Sequence, residues 1–330
     1  MTILCCVNCV KIRQADGRAK ARAALAGAVL GLWLGGSPAA IAWESGRAAF
    51  SVEINADLVV PYRVFALYVL PQEEIELRAP ATAASAEGGQ LAELGGGGWR
   101  WTAPAEPGLA VLTISDGSEE IRLNALVLHT ADRVEGGSLA GYHIGDYPEP
   151  LDGDPVYAAP DGFIELTDKV LELEVSPHFR LGQFPSKQSP GLPKYLILRE
   201  VLLLKLELML EQLNAAGIAA DTFTVMSGYR TPMYNRAIGN GDHSRHIYGG
   251  AADIYVDVSP RDDIMDDLNG DGRFDHRDAQ WLYRLADALF GQDELSGLRG
   301  GLGVYRSNAA HGPFLHVDAR GRHARWGLLP

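Results

Sequence analysis

The sequence predicts an α+β protein in which a small β-sandwich precedes a mixed α/β domain. Residues 49–130 alternate polar and apolar side chains in short runs, whereas residues 195–213 are strongly apolar over a length typical of a helix. The 330 residues are 47% hydrophobic, which is enough for one large or two medium domains. The predicted boundaries are an export segment at 1–42, a β-sandwich at 43–135, a linker at 136–160 and a second domain at 161–330.

The charge balance disfavours one class of partner. Lys and Arg total 29 against 42 Asp and Glu, so the net charge is −13. An acidic surface repels phosphate groups, and the sequence contains no basic cluster that would offset this repulsion. We therefore expect no nucleic-acid partner, and the acidic composition suits a protein that holds cations.

The first 42 residues have the pattern of a cleavable signal peptide. Basic residues precede an apolar run at 23–36, and an A-x-A site follows at 40–42. The run is shorter than the ~20 residues of a membrane span, although an uncleaved anchor is the alternative. We expect an exported, periplasmic protein with no membrane span after cleavage. The three cysteines, Cys5, Cys6 and Cys9, would be removed with the signal.

Residues 43–135 are predicted to be a sandwich of short strands, because turn signals such as Asp116-Gly117 separate the alternating runs. Residues 101–108 resemble the W-x-x-P-x-x-x-G turn of bacterial immunoglobulin-like modules. No catalytic group of residues is evident here. The expected role is a spacer or a module that contacts the cell wall, with a purely structural scaffold as the alternative.

The second domain begins with a predicted core helix at 195–213, for which Gly217 is a plausible stop, and continues with a strand at 222–226. Beyond them, His246 and Asp253 lie seven positions apart, and Gly249 and Gly250 between them permit a tight turn.

Near the C-terminus, strand alternation places Phe314, His316 and Asp318 on one face. Two histidines and one aspartate, with a fourth position left free, are a ligand set typical of a catalytic zinc. The candidate ligands here are His246, Asp253 and His316. By spacing alone, unrelated polar residues in separate turns are the alternative.

A third motif, S-G-Y-R-T-P-M-Y-N at 227–235, completes a resemblance. The three blocks together resemble the D-alanyl-D-alanine carboxypeptidase/Hedgehog-type zinc metallopeptidases, in particular their murein-endopeptidase-like branch, over roughly residues 168–326. The resemblance implies a Hedgehog/DD-peptidase-like domain, zinc at the three ligands named above, and hydrolysis of an amide by zinc-activated water.

The resemblance also implies roles for the neighbouring residues. The acidic base that many members carry three positions before the last histidine is replaced by Pro313. Asp318 is the first candidate for the base and His311 the second, while support of a ligand is the alternative for Asp318. Arg230 is expected to bind substrate or steady the carbonyl oxygen, or else to form a structural ion pair. Ser244 is expected to contact substrate or to fix the turn in which it lies. Tyr229 is expected to contribute to substrate binding.

Residues 267–278 form an insertion that fits the EF-hand template and resembles a dockerin loop. An acidic turn without metal is the alternative to a structural Ca²⁺ site. The predicted ligands are Asp267, Asn269, Asp271, the carbonyl of Arg273, Asp275 and Asp278.

Three functions follow from these residues. The first is an exported zinc peptidase that cleaves peptidoglycan stem peptides or their cross-links. The second is a catalytically inactive, metal-stabilised module that binds the wall or a partner. The third is a zinc peptidase whose substrate is a protein or a free dipeptide.

Overall fold

The alternating N-terminal sequence folds into two β-sheets in the computed structural model, which describes residues 43–330. The predicted signal peptide lies outside the described residues. One sheet has the strand order β2-β1-β4-β7-β6, and the other has the order β3-β9-β8-β5. The nine strands are β1 (Arg47–Ile54), β2 (Leu58–Tyr62), β3 (Val64–Val69), β4 (Glu74–Arg78), β5 (Ala83–Glu87), β6 (Gln90–Gly95), β7 (Gly98–Thr102), β8 (Gly108–Ser115) and β9 (Glu120–Val127).

The alternation decides which side chains are buried. In β8, Ala110, Leu112 and Ile114 are buried, and the residues between them are partly exposed. One hydrophobic cluster includes side chains from both sheets, as expected when two sheets share a core. Neighbouring strands are antiparallel except for β3 and β9, which pair in parallel. The structure is thus mixed α+β, as predicted, but an immunoglobulin-like N-terminal domain is not confirmed.

The chain then crosses a region of short elements before its longest helix. A three-stranded sheet has the order β10-β13-β16, and two hairpins, β11-β12 and β14-β15, accompany it. The predicted linker at 136–160 contains the first hairpin and two 3₁₀ turns. The strands are β10 (His129–Thr130), β11 (Ser138–Leu139), β12 (Tyr142–His143), β13 (Gly162–Leu166), β14 (Glu174–Ser176), β15 (Phe179–Arg180) and β16 (Lys194–Leu196).

Side-chain contacts connect the N-terminal sheets to the rest of the chain. Arg47 donates two hydrogen bonds to the carboxylate of Glu211, at 2.7 and 2.8 Å. The backbone N–H of Tyr68 donates to Glu200. Residues 43–330 form one compact unit with a continuous hydrophobic core, while the separate domain boundaries drawn from the sequence stay a prediction.

The predicted core helix is α1 (Glu200–Ala215). It begins five residues later than the sequence suggested, because residues 194–196 extend and pair with β13. Its apolar side chains are buried around most of its circumference, and Lys205 and Glu207 are buried among them. Among residues 43–330, no helix is long and apolar enough to cross a membrane.

The burial of Lys205 predicts a pH-dependent stability. Burial lowers the pKa of its ammonium group from 10.5 to about 7. Between these two values the unfolded chain binds the proton and the folded chain does not, so stability rises with pH in that window. We expect the free energy of unfolding to rise with pH from about 7 towards 10, and Lys205→Met to remove up to about 1.4 kcal/mol per pH unit of that slope. Urea unfolding of both proteins across this range checks the prediction, and identical slopes would contradict it.

A second five-stranded sheet positions the polar motifs of the C-terminal half and has the order β17-β18-β20-β19-β21. Its pairs are antiparallel except for β19 and β21, and α3 packs against α1, β19 and β20. The register aligns Asp253, His316, Gly303 and Trp326 in one row across four strands. The elements are β17 (Thr224–Ser227), α2 (Pro232–Ala237), β18 (Ala251–Tyr255), α3 (His276–Phe290), β19 (Gly301–Tyr305), β20 (Phe314–Asp318) and β21 (Ala324–Gly327).

Candidate metal centre

His246 is presented by a 3₁₀ turn, Arg245–Tyr248, that ends at Gly249. Gly249 has a φ of +65°, and a Cβ there would lie 2.5 Å from the carbonyl carbon of Ile197, so the turn requires glycine. The Nδ1 atom of His246 lies 2.7 Å from the carbonyl oxygen of Gly228. A carbonyl oxygen only accepts, so Nδ1 carries the hydrogen and Nε2 keeps its lone pair for the centre.

Asp253 and His316 come from neighbouring strands and are paired directly in the register of β18 and β20. The His316 Nε2 atom lies 3.2 Å from Oδ2 of Asp318, a carboxylate oxygen that accepts its hydrogen. His316 therefore turns the lone pair of Nδ1 towards Asp253, whose Oδ1 is 2.8 Å away. His246 Nε2 is 3.2 Å from each of these two atoms.

These three donor atoms match a zinc site in chemistry and arrangement. His246, Asp253 and His316 are all buried, and their donor atoms lie within 4.8 Å of one another. Within residues 43–330 they are the only group of three or more such side chains that could hold a metal ion. Two imidazole nitrogens and one carboxylate oxygen are the ligands of a catalytic zinc, and each histidine has its second nitrogen fixed by an acceptor.

The electrostatics of the three side chains reflect their mutual contacts. Burial opposes ionisation of Asp253, yet the two histidines hold the pKa of its carboxyl well below the usual value. Burial lowers the pKa of His246. Burial also acts to lower the pKa of His316, but its interactions with the carboxylates of Asp253 and Asp318 outweigh it, and the net shift is upward. Asp253 is thus an ionised ligand at neutral pH.

Arg230 lies beside the centre and binds the second oxygen of Asp253. Its Nη2 donates to Oδ2 of Asp253, and its Nε donates to Oγ of Ser227 at 2.8 Å. The arginine side chain is 12% exposed and the aspartate side chain 4%. Of the two roles considered from the sequence, this geometry favours the ion pair that holds a ligand.

Asp318 lies behind His316 and is fully buried. Besides His316, its carboxylate accepts the N–H of Gly301 at 2.8 Å and a hydrogen bond from Arg320 at 2.6 Å. Burial opposes ionisation of Asp318, but the hydrogen bonds from His316 and Arg320 hold its pKa far below the usual value. The buried Lys205 also donates to its backbone carbonyl at 2.8 Å. The geometry therefore favours support of a ligand over proton transfer.

Within residues 43–330, the side chains of the other predicted site residues form no hydrogen bond with the three ligands. Tyr229 is buried, and its hydroxyl pairs with that of Tyr147 at 2.9 Å. Ser244 is partly buried at the start of the turn that carries His246. His311 lies in the loop before β20, where its Nδ1 contacts the carbonyl of Gly312. The sequence did not identify Arg320 or the indole ring of Trp326 as neighbours of the centre. The alternation of side chains along β21 was a signal that could have located the indole.

The loop predicted to bind calcium has its carboxylates engaged with its own backbone. Asp267 accepts the N–H groups of Gly270, Asp271 and Gly272. Asp278 is buried, accepts three N–H donors from Leu268 and Asn269 on Oδ1 and one from Asp275 on Oδ2, and forms a capping box at the start of α3. The geometry of the described residues does not support the calcium prediction.

One comparison with known protein families matches a segment that includes two of the three ligands. Residues 198–273 match the family model described as Peptidase M15, and this segment includes His246 and Asp253. A search of curated proteins and a search of solved structures gave no match. The match confirms the resemblance predicted from the motifs: residues 198–273 are similar to the Peptidase M15 family, which is consistent with the D-alanyl-D-alanine carboxypeptidase superfamily.

Proposed function

We propose that this protein is an exported zinc peptidase that hydrolyses amide bonds in peptidoglycan stem peptides or their cross-links. One observation carries the proposal: Nε2 of His246, Oδ1 of Asp253 and Nδ1 of His316 converge, while the opposite nitrogen of each histidine is fixed by an acceptor. The match to the Peptidase M15 family model supports peptide hydrolysis as the use of such a centre.

Zinc, when bound, supplies Lewis acidity for the scissile carbonyl and for the attacking water. The protein supplies the shape and rigidity of the site. Gly228 and Asp318 fix the two imidazole rings, and Arg230 holds one oxygen of Asp253 so that the other faces the centre. All three ligands are buried, so bulk water is excluded from around their side chains. This exclusion strengthens the electrostatic contacts that hold them.

The charge around the centre favours a substrate that carries carboxylates. Asp253 is paired with Arg230, and Asp318 is paired with Arg320. Each carboxylate at the centre therefore has its own arginine, so the charge of a divalent ion would be incompletely neutralised by the protein. Stem peptides of peptidoglycan carry free carboxylates, and they fit this local positive charge although the whole chain carries a net charge of −13.

Asp318 acts as a positioning residue in this account. We expect Asp318→Asn to weaken zinc binding about 10- to 100-fold, because a neutral amide oxygen is a weaker acceptor than a carboxylate for the hydrogen on Nε2 of His316. At saturating zinc, hydrolysis should fall far less than the 10²- to 10⁴-fold loss typical of a removed general base. Zinc titration and hydrolysis at saturating zinc, with folding checked by circular dichroism, separate the two roles. A loss of hydrolysis of that size at full zinc occupancy would assign proton transfer to Asp318.

A non-catalytic module that binds the wall or a partner is the second candidate, and Pro313 favours it because many relatives carry an acidic base at this place. Digestion of purified peptidoglycan by the chain from Trp43, with and without a zinc chelator, distinguishes the candidates. The peptidase predicts chelator-sensitive loss of a defined cross-link or terminal residue by mass spectrometry of the muropeptides. Unchanged muropeptides with a folded, zinc-loaded protein would favour the binding module.

Export to the periplasm is part of the proposal and rests on the signal-peptide pattern of residues 1–42. Cleavage after the A-x-A site at 40–42 would leave Trp43 as the first residue. Sequencing the N-terminus of the protein recovered from the periplasmic fraction checks this. Recovery of an uncleaved chain from the membrane fraction would support the anchor instead.

A further inference from the structure

One buried arginine has two hydrogen-bond donors without an acceptor. Arg245 precedes His246 in the 3₁₀ turn that presents this ligand, and it is 2% exposed. Its Nη1 donates to the carbonyl oxygen of Val156. Among residues 43–330, no acceptor lies within hydrogen-bonding distance of its Nε or its Nη2. Buried N–H groups are normally paired, above all on a charged side chain, so these two donors require an explanation.

The same two nitrogens hold a carboxylate in other arginines of this structure. Nε and Nη2 of Arg47 donate to the two carboxylate oxygens of Glu211, at 2.7 and 2.8 Å. Nε and Nη2 of Arg320 both donate to Oδ2 of Asp318, at 3.0 and 2.6 Å. These two nitrogens form one rigid edge of the guanidinium plane, and its geometry matches a carboxylate. The edge that binds a carboxylate elsewhere is therefore the edge left unpaired in Arg245.

The positive charge of Arg245 is surrounded by aromatic rings and a second arginine. The rings of Tyr157 and Tyr248 both have their centres 4.9 Å from Cζ of Arg245, and such contacts stabilise a guanidinium. Arg199 lies close enough for its charge to act on Arg245, and its Nε donates to the carbonyl oxygen of Tyr248 at 2.9 Å. The contacts of Arg245 are thus to a carbonyl and to aromatic rings, and none of them carries a negative charge.

The carboxylate of Asp318 also acts on Arg245, but it is already engaged. It accepts hydrogen bonds from His316 and Arg320. A buried cation without a bonded anion is costly. A water molecule would accept the two hydrogens of Arg245 without balancing its charge, whereas an anion would do both.

Gly250 borders the unpaired edge of Arg245. A Cβ at Gly250 would lie 3.1 Å from Nη2 of Arg245 and 3.5 Å from Cδ of Arg199. The φ of Gly250 is not in the left-handed region, so its backbone conformation does not require glycine. The missing side chain instead keeps a carbon atom away from Nη2. Because Tyr157 and Tyr248 are buried, a ligand beside them must be small.

We propose that Arg245 binds a small free carboxylate, of the size of formate or acetate, through Nε and Nη2 beside Gly250. A planar carboxylate matches the edge of the guanidinium, and its charge balances that of a buried cation. The inference goes beyond the proposed function, because it requires neither zinc nor hydrolysis.

The test measures urea unfolding of the chain from Trp43 over a series of sodium formate concentrations. A bulky sulfonate anion keeps the ionic strength constant. A ligand that binds only the folded chain has no effect below its Kd, and above it raises the folding equilibrium constant about tenfold for each tenfold rise in ligand. We expect this dependence for the wild type. The chain opens in the unfolding equilibrium, so the burial of Arg245 does not prevent formate from entering.

Three variants locate the binding. Arg245→Met removes the guanidinium and should abolish the dependence on formate. Gly250→Ala keeps Arg245 but places a Cβ against Nη2, so the dependence should shift to higher formate concentrations. Arg63→Met is the matched control, because the Arg63 side chain is 52% exposed and pairs with Glu119 at the surface. This control should respond to formate as the wild type does.

Each protein is measured with zinc and with a chelator. Formate can also bind a zinc ion, and that contribution disappears when the metal is removed. The contribution of Arg245 should be the same in both conditions.

The results separate an anion from a water molecule at this position. A dependence on formate that persists with chelator and is lost in Arg245→Met would support the site. The same dependence in Arg245→Met would overturn it. A wild type whose stability does not change with formate would also overturn it and would leave water as the acceptor for Nε and Nη2. If Arg245→Met does not fold, Gly250→Ala decides, and an unchanged dependence in that variant would contradict the site.

Discussion

Replacement of His316 by alanine is expected to abolish chelator-sensitive hydrolysis and stoichiometric zinc binding in a protein that remains folded. His316 supplies one of three donor atoms, and Asp253 and His246 alone leave a site with too few ligands for catalytic zinc. We expect the rate of muropeptide hydrolysis to fall by at least about 10³-fold, which corresponds to about 4 kcal/mol of activation free energy. Hydrolysis is read by mass spectrometry, and zinc by elemental analysis after gel filtration.

The matched control is His143→Ala, because His143 is exposed in β12 and lies outside the metal cluster. This variant should retain both zinc and hydrolysis. If His316→Ala kept one zinc per chain and the wild-type rate, the assignment of the centre would be wrong.

Replacement of Arg230 by alanine is expected to destabilise the zinc-free protein by about 3–5 kcal/mol, the loss typical of breaking a buried ion pair. Asp253 would then be a buried carboxylate without its arginine. Zinc supplies positive charge at the same carboxylate, so the loss should be smaller in the zinc-loaded protein. Urea unfolding of the wild type and the variant, each with and without zinc, measures the difference.

An exposed ion pair provides the control for this prediction. Arg261 and Asp221 pair at the surface, with side chains 58% and 64% exposed. Arg261→Ala should change stability by less than about 1 kcal/mol, with or without zinc. An Arg230→Ala loss that is equally small would show that Arg230 does not hold Asp253 in place.

The three side chains of the centre were predicted from short-range rules together with the motif resemblance, and the structure brings their donor atoms within 4.8 Å of one another. Alternation along β20 places His316 and Asp318 on one face, and glycine at 249 permits the turn that presents His246. The choice of nitrogen on each imidazole was not predictable, because it depends on Gly228 and Asp318 as acceptors. Spacing along the chain does not carry that information.

The roles of the other predicted site residues also depend on tertiary contacts, which spacing along the chain does not give. Tyr229 belongs to the same motif as Arg230, yet it is buried against Tyr147, whereas Arg230 contacts a ligand. Tyr147 lies in the segment that the sequence suggested was a linker, because glycine, proline and aspartate dominate its composition. The start of α1 was placed too early because Tyr195 and Leu196 are as apolar as the helix but pair with β13.

The most direct test of the account is the position of the metal itself. Crystals of the zinc-loaded chain from Trp43 would be measured at the zinc absorption edge. We expect one anomalous peak at about 2.0–2.2 Å from Nε2 of His246, Oδ1 of Asp253 and Nδ1 of His316. A peak coordinated by other residues, or none in a protein shown to contain zinc in solution, would contradict the centre on which the proposed function rests.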